Sequence, residues 1–196
     1  MKQIDNILGI RKLFEYYKSL GDKTLSRVTD EQLFWQPNSE SNSLATLVYH
    51  LHGNMLSRWT DFLTSDGEKE WRDRVSEFEN NHHSKEELLN KWEEGWMCLF
   101  SAISTLREED LDKVVYIRNQ GQTVMEAVHR QLAHYSYHVG QMVFLGKMLV
   151  GKEWESLSIP KGNSKNYNVE KFSKPLNQDH FTGESLPENI NKAENQ

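Results

Sequence analysis

The sequence predicts an all-α protein, a four-helix bundle with long connections and an irregular C-terminal tail. Four long segments carry apolar residues at the period of an α-helix. Only 37% of the 196 residues are hydrophobic and 27% are charged, a balance that suits amphipathic helices better than a two-sided sheet core. A chain of this length forms one domain by default, and we assign the bundle to residues 1–160 and a polar tail to residues 161–196.

The first two helices are predicted in the N-terminal third of the chain. The first covers about Gln3 to Val28, and a short connector from Asp30 to Pro37 follows it. The second helix runs from about Ser43 to Thr64, after serines and asparagines that are good N-cap residues. Asp66-Gly67 is typical of a turn, so this helix is expected to end before it.

A long polar connection separates the second helix from the third. It extends from Glu68 to His83, and Trp71 and Phe78 are the side chains expected to anchor it. The third helix begins at Ser84, which opens the capping box Ser-Lys-Glu-Glu and precedes a run of apolar residues at helical spacing. These features predict a loop that is held down by two aromatic rings.

The last helix follows a short extended segment. Asp112 to Gln122 contains four residues with high strand propensity and then Asn-Gln-Gly, a pattern typical of a hairpin. The capping box Thr-Val-Met-Glu, which opens at Thr123, begins the fourth helix, and this helix continues to about Val150. From about Lys161 the composition becomes polar, and we expect little regular structure there.

Histidines on two of these helices are the most informative feature of the chain. His134 and His138 are four residues apart, which puts their side chains on one face of the fourth helix. Two imidazoles in this arrangement can hold one divalent metal ion. A third imidazole from the second helix would leave one coordination position open, as in catalytic zinc sites. The histidines therefore predict a metal centre, whereas the alternative is that they are hydrogen-bonded core or surface residues.

The second helix offers two candidates for the third ligand. His50 and His52 are two residues apart, so they point in nearly opposite directions and cannot both reach one ion. Neither face of the helix is purely apolar, and the periodicity favours His50 only slightly. His82 and His83 lie in the polar connection, where we expect them to be solvated.

Further polar residues near these histidines are candidates for a supporting role. Asn54, Gln131 and Gln141 each lie about one helical turn from a predicted ligand, so each could bind substrate or orient a ligand. A polar residue that is satisfied at a helix interface explains them equally well. Arg58 could bind an anionic substrate, although we favour an ion pair with Asp61. No catalytic side chain is assigned.

The chain resembles the DinB/YfiT-like superfamily of metal-binding four-helix bundles. The matching features are His50-Leu51 and the pattern His-x-x-x-His-x-Gly-Gln from His134 to Gln141. The segments Gly53 to Trp59 and Leu157 to Pro160 further resemble an uncharacterised DinB-like subfamily. The resemblance covers roughly residues 1–165. It implies that His50, His134 and His138 are the metal ligands.

The resemblance also implies what the metal centre does. Related families include enzymes that transfer bacillithiol, mycothiol or similar small thiols, so the expected function is a thiol S-transferase that acts on an electrophile. Imidazole ligands suit zinc or nickel, and the sequence does not choose between them. A metal-dependent hydrolase and a non-catalytic metal-binding stress protein are the alternatives. A homodimer is expected by the same resemblance.

Composition argues against several other classes of protein. The net charge of −6 opposes a nucleic-acid phosphate footprint, so no nucleic-acid partner is expected. No apolar run is long enough to span a membrane, and the N-terminus lacks the apolar stretch of a secretory signal. The single cysteine, Cys98, allows no disulfide framework within the chain. These observations predict a cytoplasmic protein.

Overall fold

Four long α-helices form the body of this protein in a computed structural model that describes residues 6–79 and 84–184. The all-α bundle is thereby confirmed, with two short helices and one small hairpin added to it. The helices are α1 (Asn6–Leu25), α2 (Asp30–Phe34), α3 (Leu44–Trp59), α4 (Lys85–Thr105), α5 (Val124–Val150) and α6 (Ser164–Phe172), and the strands are β1 (Val114–Ile117) and β2 (Gln120–Thr123).

The four long helices pack around an aromatic centre. Both α1 and α3 contact α4 and α5, so the helices form a closed ring around one core. Each long helix contributes one buried ring: the ring centroid of Phe14 lies 6.2 Å from Trp59, 6.4 Å from Trp96 and 6.0 Å from Tyr135. Edge-to-face and tilted contacts at these distances are favourable for aromatic pairs. This layer joins all four helices.

Polar side chains fix where the helices begin. Ser43 Oγ accepts the backbone N–H of Thr46 at the start of α3, and Ser84 Oγ does the same for Glu87 at the start of α4. At Thr123 the predicted capping box is complete, because the Glu126 carboxylate also accepts the Thr123 backbone N–H. Such caps satisfy N–H groups that have no partner within the helix. The residues at which these three helices begin are therefore determined by the local sequence.

Several segments differ from the sequence prediction, and the first helix ends at Leu25 instead of Val28. The helix expected to reach Thr64 ends at Trp59, and Asp61 lies in the left-handed region with φ 50°. A non-glycine residue in that region interrupts a helix. The segment from Asp30 to Pro37, described as a short connector from the sequence, contains the five-residue helix α2. A capping box between Thr29 and Gln32 begins α2.

The predicted hairpin is present, with its turn one residue earlier than the Asn-Gln-Gly pattern indicated. Strands β1 and β2 pair antiparallel from Val114↔Thr123 to Ile117↔Gln120. Arg118 and Asn119 form the two-residue turn with φ 55° and 61°, the backbone that a tight hairpin requires. The Asp66 carboxylate accepts both of their backbone N–H groups, at 2.8 and 2.9 Å. The hairpin is thus attached to the connection that follows α3.

The described part of the C-terminal tail contains an α-helix that the composition did not indicate. Helix α6 has no buried side chain, which agrees with the polar sequence around it. The chain then returns to the bundle, where Thr182 is fully buried and the Phe181 ring lies 5.7 Å from that of Tyr16. Residues 185–196, which belong to the predicted tail, lie outside the described residues, as do His82 and His83.

Candidate metal centre

Three histidine side chains meet between α3 and α5. His134 Nε2 lies 3.3 Å from His50 Nε2 and 3.1 Å from His138 Nε2. The three residues offer one ligand atom each within 4.8 Å of one another, and they are positioned to hold a metal ion. His50 reaches this point from the face of α3 that contacts α5, whereas the other two are stacked one turn apart on α5. The structure therefore brings together the three histidines that the resemblance implied.

The distances between these nitrogens match a metal-binding geometry. Zinc–nitrogen bonds of about 2.0–2.1 Å in a tetrahedral site place two ligand nitrogens roughly 3.3–3.4 Å apart. The observed separations of 3.3 and 3.1 Å are close to that value. Two of the three separations therefore match a tetrahedral site, and all three ligand atoms lie within 4.8 Å of one another.

Hydrogen bonds on the far side of two rings determine where their protons lie. His50 Nδ1 donates to Glu77 Oε2 and His138 Nδ1 donates to Gln141 Oε1, each at 2.9 Å. Because both acceptors are oxygens, the Nδ1 atoms carry the protons, and the two Nε2 atoms present lone pairs. Both lone pairs face His134 Nε2, which can donate only one proton. A cation would satisfy all three nitrogens at once, and this is the donor set that imidazole-bound metals use.

Burial disfavours the protonated form of two of the three histidines, His134 and His138. His50 is 4% exposed and His138 is 8% exposed. Desolvation, together with the neighbouring His138 and His50, lowers the pKa of His134 to about 3. Desolvation also lowers the pKa of His138, in spite of the hydrogen bond with Gln141. Since a metal must compete with protons for imidazole nitrogens, low pKa values at these two ligands favour metal binding at neutral pH.

One carboxylate at this centre was not identified from the sequence. Glu77 lies in a short 3-10 turn (Ser76–Phe78) of the long connection, and its side chain is only 7% exposed. Arg72 donates to both of its oxygens, at 2.7 and 3.0 Å. Burial would raise the pKa of Glu77, but the hydrogen bonds from His50 and Arg72 outweigh it and lower that pKa. The carboxylate is therefore ionised and fully engaged.

The long connection is anchored differently from the sequence prediction. Trp71 was expected to anchor it, but this ring is 59% exposed. Phe78 is 38% exposed, with its ring centroid 4.9 Å from that of His50. The side chains of Arg72 and Glu77 in this segment are 2% and 7% exposed. Charged residues in a polar stretch give no periodic signal, so the sequence offered no reason to expect this buried ion pair.

The three supporting polar residues have different positions. Gln141 contacts a ligand directly, through His138 Nδ1. Asn54 Oδ1 instead accepts the Tyr135 hydroxyl, which in turn accepts Trp59 Nε1–H. Gln131 is 4% exposed and lines a water-sized cavity, where its Oε1 has no hydrogen-bond partner. Of the three, Gln141 contacts a predicted ligand, Asn54 contacts Tyr135, and Gln131 lines the cavity.

Two neighbouring residues complete the description of this region. His52, the rival ligand, points away from the cluster and contacts Glu94 Oε2 at 2.8 Å. Arg58 was expected to pair with Asp61, but its guanidinium contacts Glu68 Oε2 at 3.2 Å and the carbonyl oxygen of Gly67. The early end of α3 is the reason, since Asp61 no longer lies on a helix face beside Arg58.

Comparison with known proteins gives a family without an assigned function. The model of a family described as "protein of unknown function (DUF1572)" matches residues 5–163 of the chain. A search of curated proteins finds no match. The matched range contains all three histidines and Glu77. In the described part of the chain, no helix combines the length and the apolar character needed to cross a bilayer.

Proposed function

The chain belongs to the DUF1572 family of proteins of unknown function, and we propose that it is a DinB-like, metal-dependent transferase of a low-molecular-weight thiol. In this proposal His50, His134 and His138 hold one divalent ion, zinc or nickel. The substrates are a small thiol of the bacillithiol type and an electrophile. The histidine pattern and the four-helix bundle are the two features that support the superfamily in this proposal.

One observation carries the choice of thiol transfer over hydrolysis. The carboxylate nearest the three histidines, Glu77, is already bound to His50 Nδ1 and to Arg72. It lies on the Nδ1 side of His50, whereas the ligand nitrogens converge on the Nε2 side. Hydrolysis by an activated water normally uses a general base within hydrogen-bond reach of that water. A thiol needs such a base less, because its proton is lost more readily.

The reaction has a simple balance. A divalent ion held by His50, His134 and His138 would supply a Lewis acid that lowers the pKa of a thiol beside it. The thiol sulfur donates an electron pair to the electrophilic carbon and forms a new C–S bond. The leaving group departs with the electrons of the broken bond, and the thiol proton passes to solvent or to that leaving group.

The test combines metal analysis with an activity screen. We expect about one zinc or nickel ion per chain, measured by elemental mass spectrometry, and metal-dependent turnover of a small thiol with a model electrophile. A His134→Ala variant should lose both the metal and the turnover. His52→Ala, which alters a histidine on the opposite face of α3, is the matched control and should keep both.

Three results would contradict the proposal. A purified protein that binds neither zinc nor nickel, even after incubation with each ion, would exclude a metal centre. Metal-dependent hydrolysis of esters or amides without added thiol would identify a hydrolase. A metal-loaded protein that turns over no thiol–electrophile pair, and in which His134→Ala only lowers the melting temperature, would identify a non-catalytic metal-binding protein.

A further inference from the structure

We infer that Glu77 is a positioning residue of the metal centre and that the segment from Glu68 to Phe78, in the connection after α3, is part of that centre. This inference rests on the metal binding that forms the first part of the proposed function. Glu77 acts through His50 and not on the ion itself: it accepts the Nδ1 proton at 2.9 Å and thereby holds the ring with its Nε2 lone pair towards His134. A carboxylate in this position also makes the imidazole a stronger donor.

The carboxylate is held from its other side by a buried arginine. The Arg72 side chain is 2% exposed and donates from Nε and Nη2 to the two oxygens of Glu77. Glu68 Oε2, 3.7 Å from Arg72, gives the guanidinium a second acidic neighbour. A two-point contact of this kind fixes the plane of a carboxylate more firmly than a single bond does. The position of His50 therefore depends on a loop residue twenty-two positions later in the chain.

The helix surface beneath Glu77 is shaped to admit this carboxylate. Gly53 lies one turn after His50 on α3, and a Cβ atom at Gly53 would overlap Glu77 Oε1. Glycine in a helix interior is unfavourable relative to alanine. A Cβ atom at Gly53 would require the Glu77 carboxylate to move, which gives a physical reason for the residue at this position. The contact between Glu77 and His50 thus depends on Arg72 in the loop and on the small residue Gly53 in α3.

A second pair on α3 shows that a histidine–glutamate contact alone does not make such a site. His52 contacts Glu94 at 2.8 Å, but the Glu94 side chain is 55% exposed. No arginine holds Glu94 among the ion pairs of the described residues, and the metal-ligating cluster does not include His52. This pair supplies a control of the same chemistry on the same helix.

The main experiment measures binding of Co²⁺, a spectroscopic substitute for zinc, to the purified protein. Glu77→Gln preserves the size of the side chain and one acceptor oxygen but removes the charge. We expect it to weaken Co²⁺ binding by roughly 10–100-fold and to shift the visible absorption of the bound ion. Glu94→Gln should leave the affinity within about twofold of the wild type and the spectrum unchanged.

A second variant approaches the same contact from the helix. Gly53→Ala should displace the carboxylate and weaken Co²⁺ binding, although alanine favours the helix itself. Gly9→Ala, at a position in α1 with open space for a Cβ atom, should leave metal binding unchanged. Circular dichroism of the metal-free variants separates a lost fold from a lost ligand position. If Glu77→Gln does not fold, Gly53→Ala alone decides the outcome.

The possible results distinguish this inference from the proposed function. Wild-type affinity and an unchanged spectrum in folded Glu77→Gln would overturn the role of Glu77 and leave the metal centre intact. The same result in folded Gly53→Ala, where Glu77→Gln does not fold, would also overturn it. A wild-type protein that binds no metal would instead overturn the proposed function. Weaker binding and a shifted spectrum only in variants that alter the Glu77 contact would support the inference.

Discussion

Two histidines of α3 each contact a glutamate from another segment at almost the same distance, but the two pairs have different surroundings. His50 and Glu77 are 2.9 Å apart, with side chains 5% and 7% exposed, whereas His52 and Glu94 are 2.8 Å apart, with side chains 12% and 55% exposed. The first pair continues into a buried arginine and two further histidines. The second ends in solvent. Burial and the next neighbour, rather than the contact itself, separate a candidate metal centre from an ordinary surface pair.

The helix geometry explains why His50 and His52, only two positions apart, face different neighbouring helices. Two residues along an α-helix correspond to a rotation of about 200°. His50 accordingly faces α5, which provides His134 and His138, while His52 faces Glu94 of α4. The same rotation makes His52 and Glu94 natural controls for every experiment on the candidate metal centre.

The largest difference between the two pairs should appear on removal of a ligand. His50→Ala removes one of three ligand nitrogens, and we expect its metal affinity to fall by more than about 100-fold, beyond the usual effect of an outer residue. His52→Ala should bind metal as the wild type does. Competition with a chromophoric chelator measures both affinities. Equal, tight binding by both variants would remove His50 from the centre.

The next difference concerns the stability of the metal-free protein. Glu77→Ala leaves Arg72 buried without its main acceptor, and breaking a buried ion pair costs about 3–5 kcal/mol of the free energy of unfolding. Glu94→Ala removes an exposed pair, for which about 0.2–1 kcal/mol is expected. Urea denaturation in the presence of a chelator gives both values. Similar losses in the two variants would contradict the distinction between buried and exposed pairs.

Metal addition should stabilise the protein only while the buried pair and its neighbours are intact. A ligand that binds the folded state alone contributes about 2.7 kcal/mol at a concentration of 100 times its Kd. For a chain of this size that corresponds to an increase in Tm of roughly 5–10 °C. The increase should persist in His52→Ala and disappear in His134→Ala. An unchanged Tm in the wild type with saturating zinc or nickel would argue against a specific site.

The smallest expected effect tests whether the hairpin helps to hold the Arg72–Glu77 pair in place. Asp66 holds the turn at Arg118, and the Arg118 guanidinium contacts Glu68, the second acidic neighbour of Arg72. Asp66→Ala should therefore lower the free energy of unfolding by about 1–2 kcal/mol and weaken metal binding less than Glu77→Gln does. Amide exchange at Arg118 and Asn119 should increase. Unchanged exchange there would show that Asp66 does not hold the turn.

Local sequence patterns predicted most of the bundle correctly. Apolar periodicity identified all four long helices, and the cap at Thr123 and the N-cap serine at Ser84 marked two of their starts. The error at the end of α3 came from residues after Trp59, where the apolar pattern continues but Asp61 adopts a positive φ. Helix α2 was missed because five residues are too few to show a period. Long repeats are visible in a sequence, whereas single backbone angles are not.

In the candidate metal centre, too, the sequence identified only those residues that spacing along a helix or the resemblance relates to one another. The spacing of His134 and His138 and the resemblance led to the three histidines that the fold brings together. Gln141, three residues from His138, was also recognised as a candidate, because helix periodicity relates the two. Glu77 belongs to another segment, and nothing in its local sequence relates it to His50.

The sequence by itself determined the four helices, most of their boundaries and the pair of histidines on α5, because these depend on spacing along one chain segment. Helix periodicity left His50 and His52 as rivals, since both lie on partly polar faces of α3, and the tertiary structure shows that His50, which the resemblance implied, faces that pair. It alone decided that Arg72 and Glu77 are buried against His50. Charged side chains are buried in a core when they are paired with a specific partner. Whether such a partner lies nearby depends on the packing of segments that are distant in the sequence.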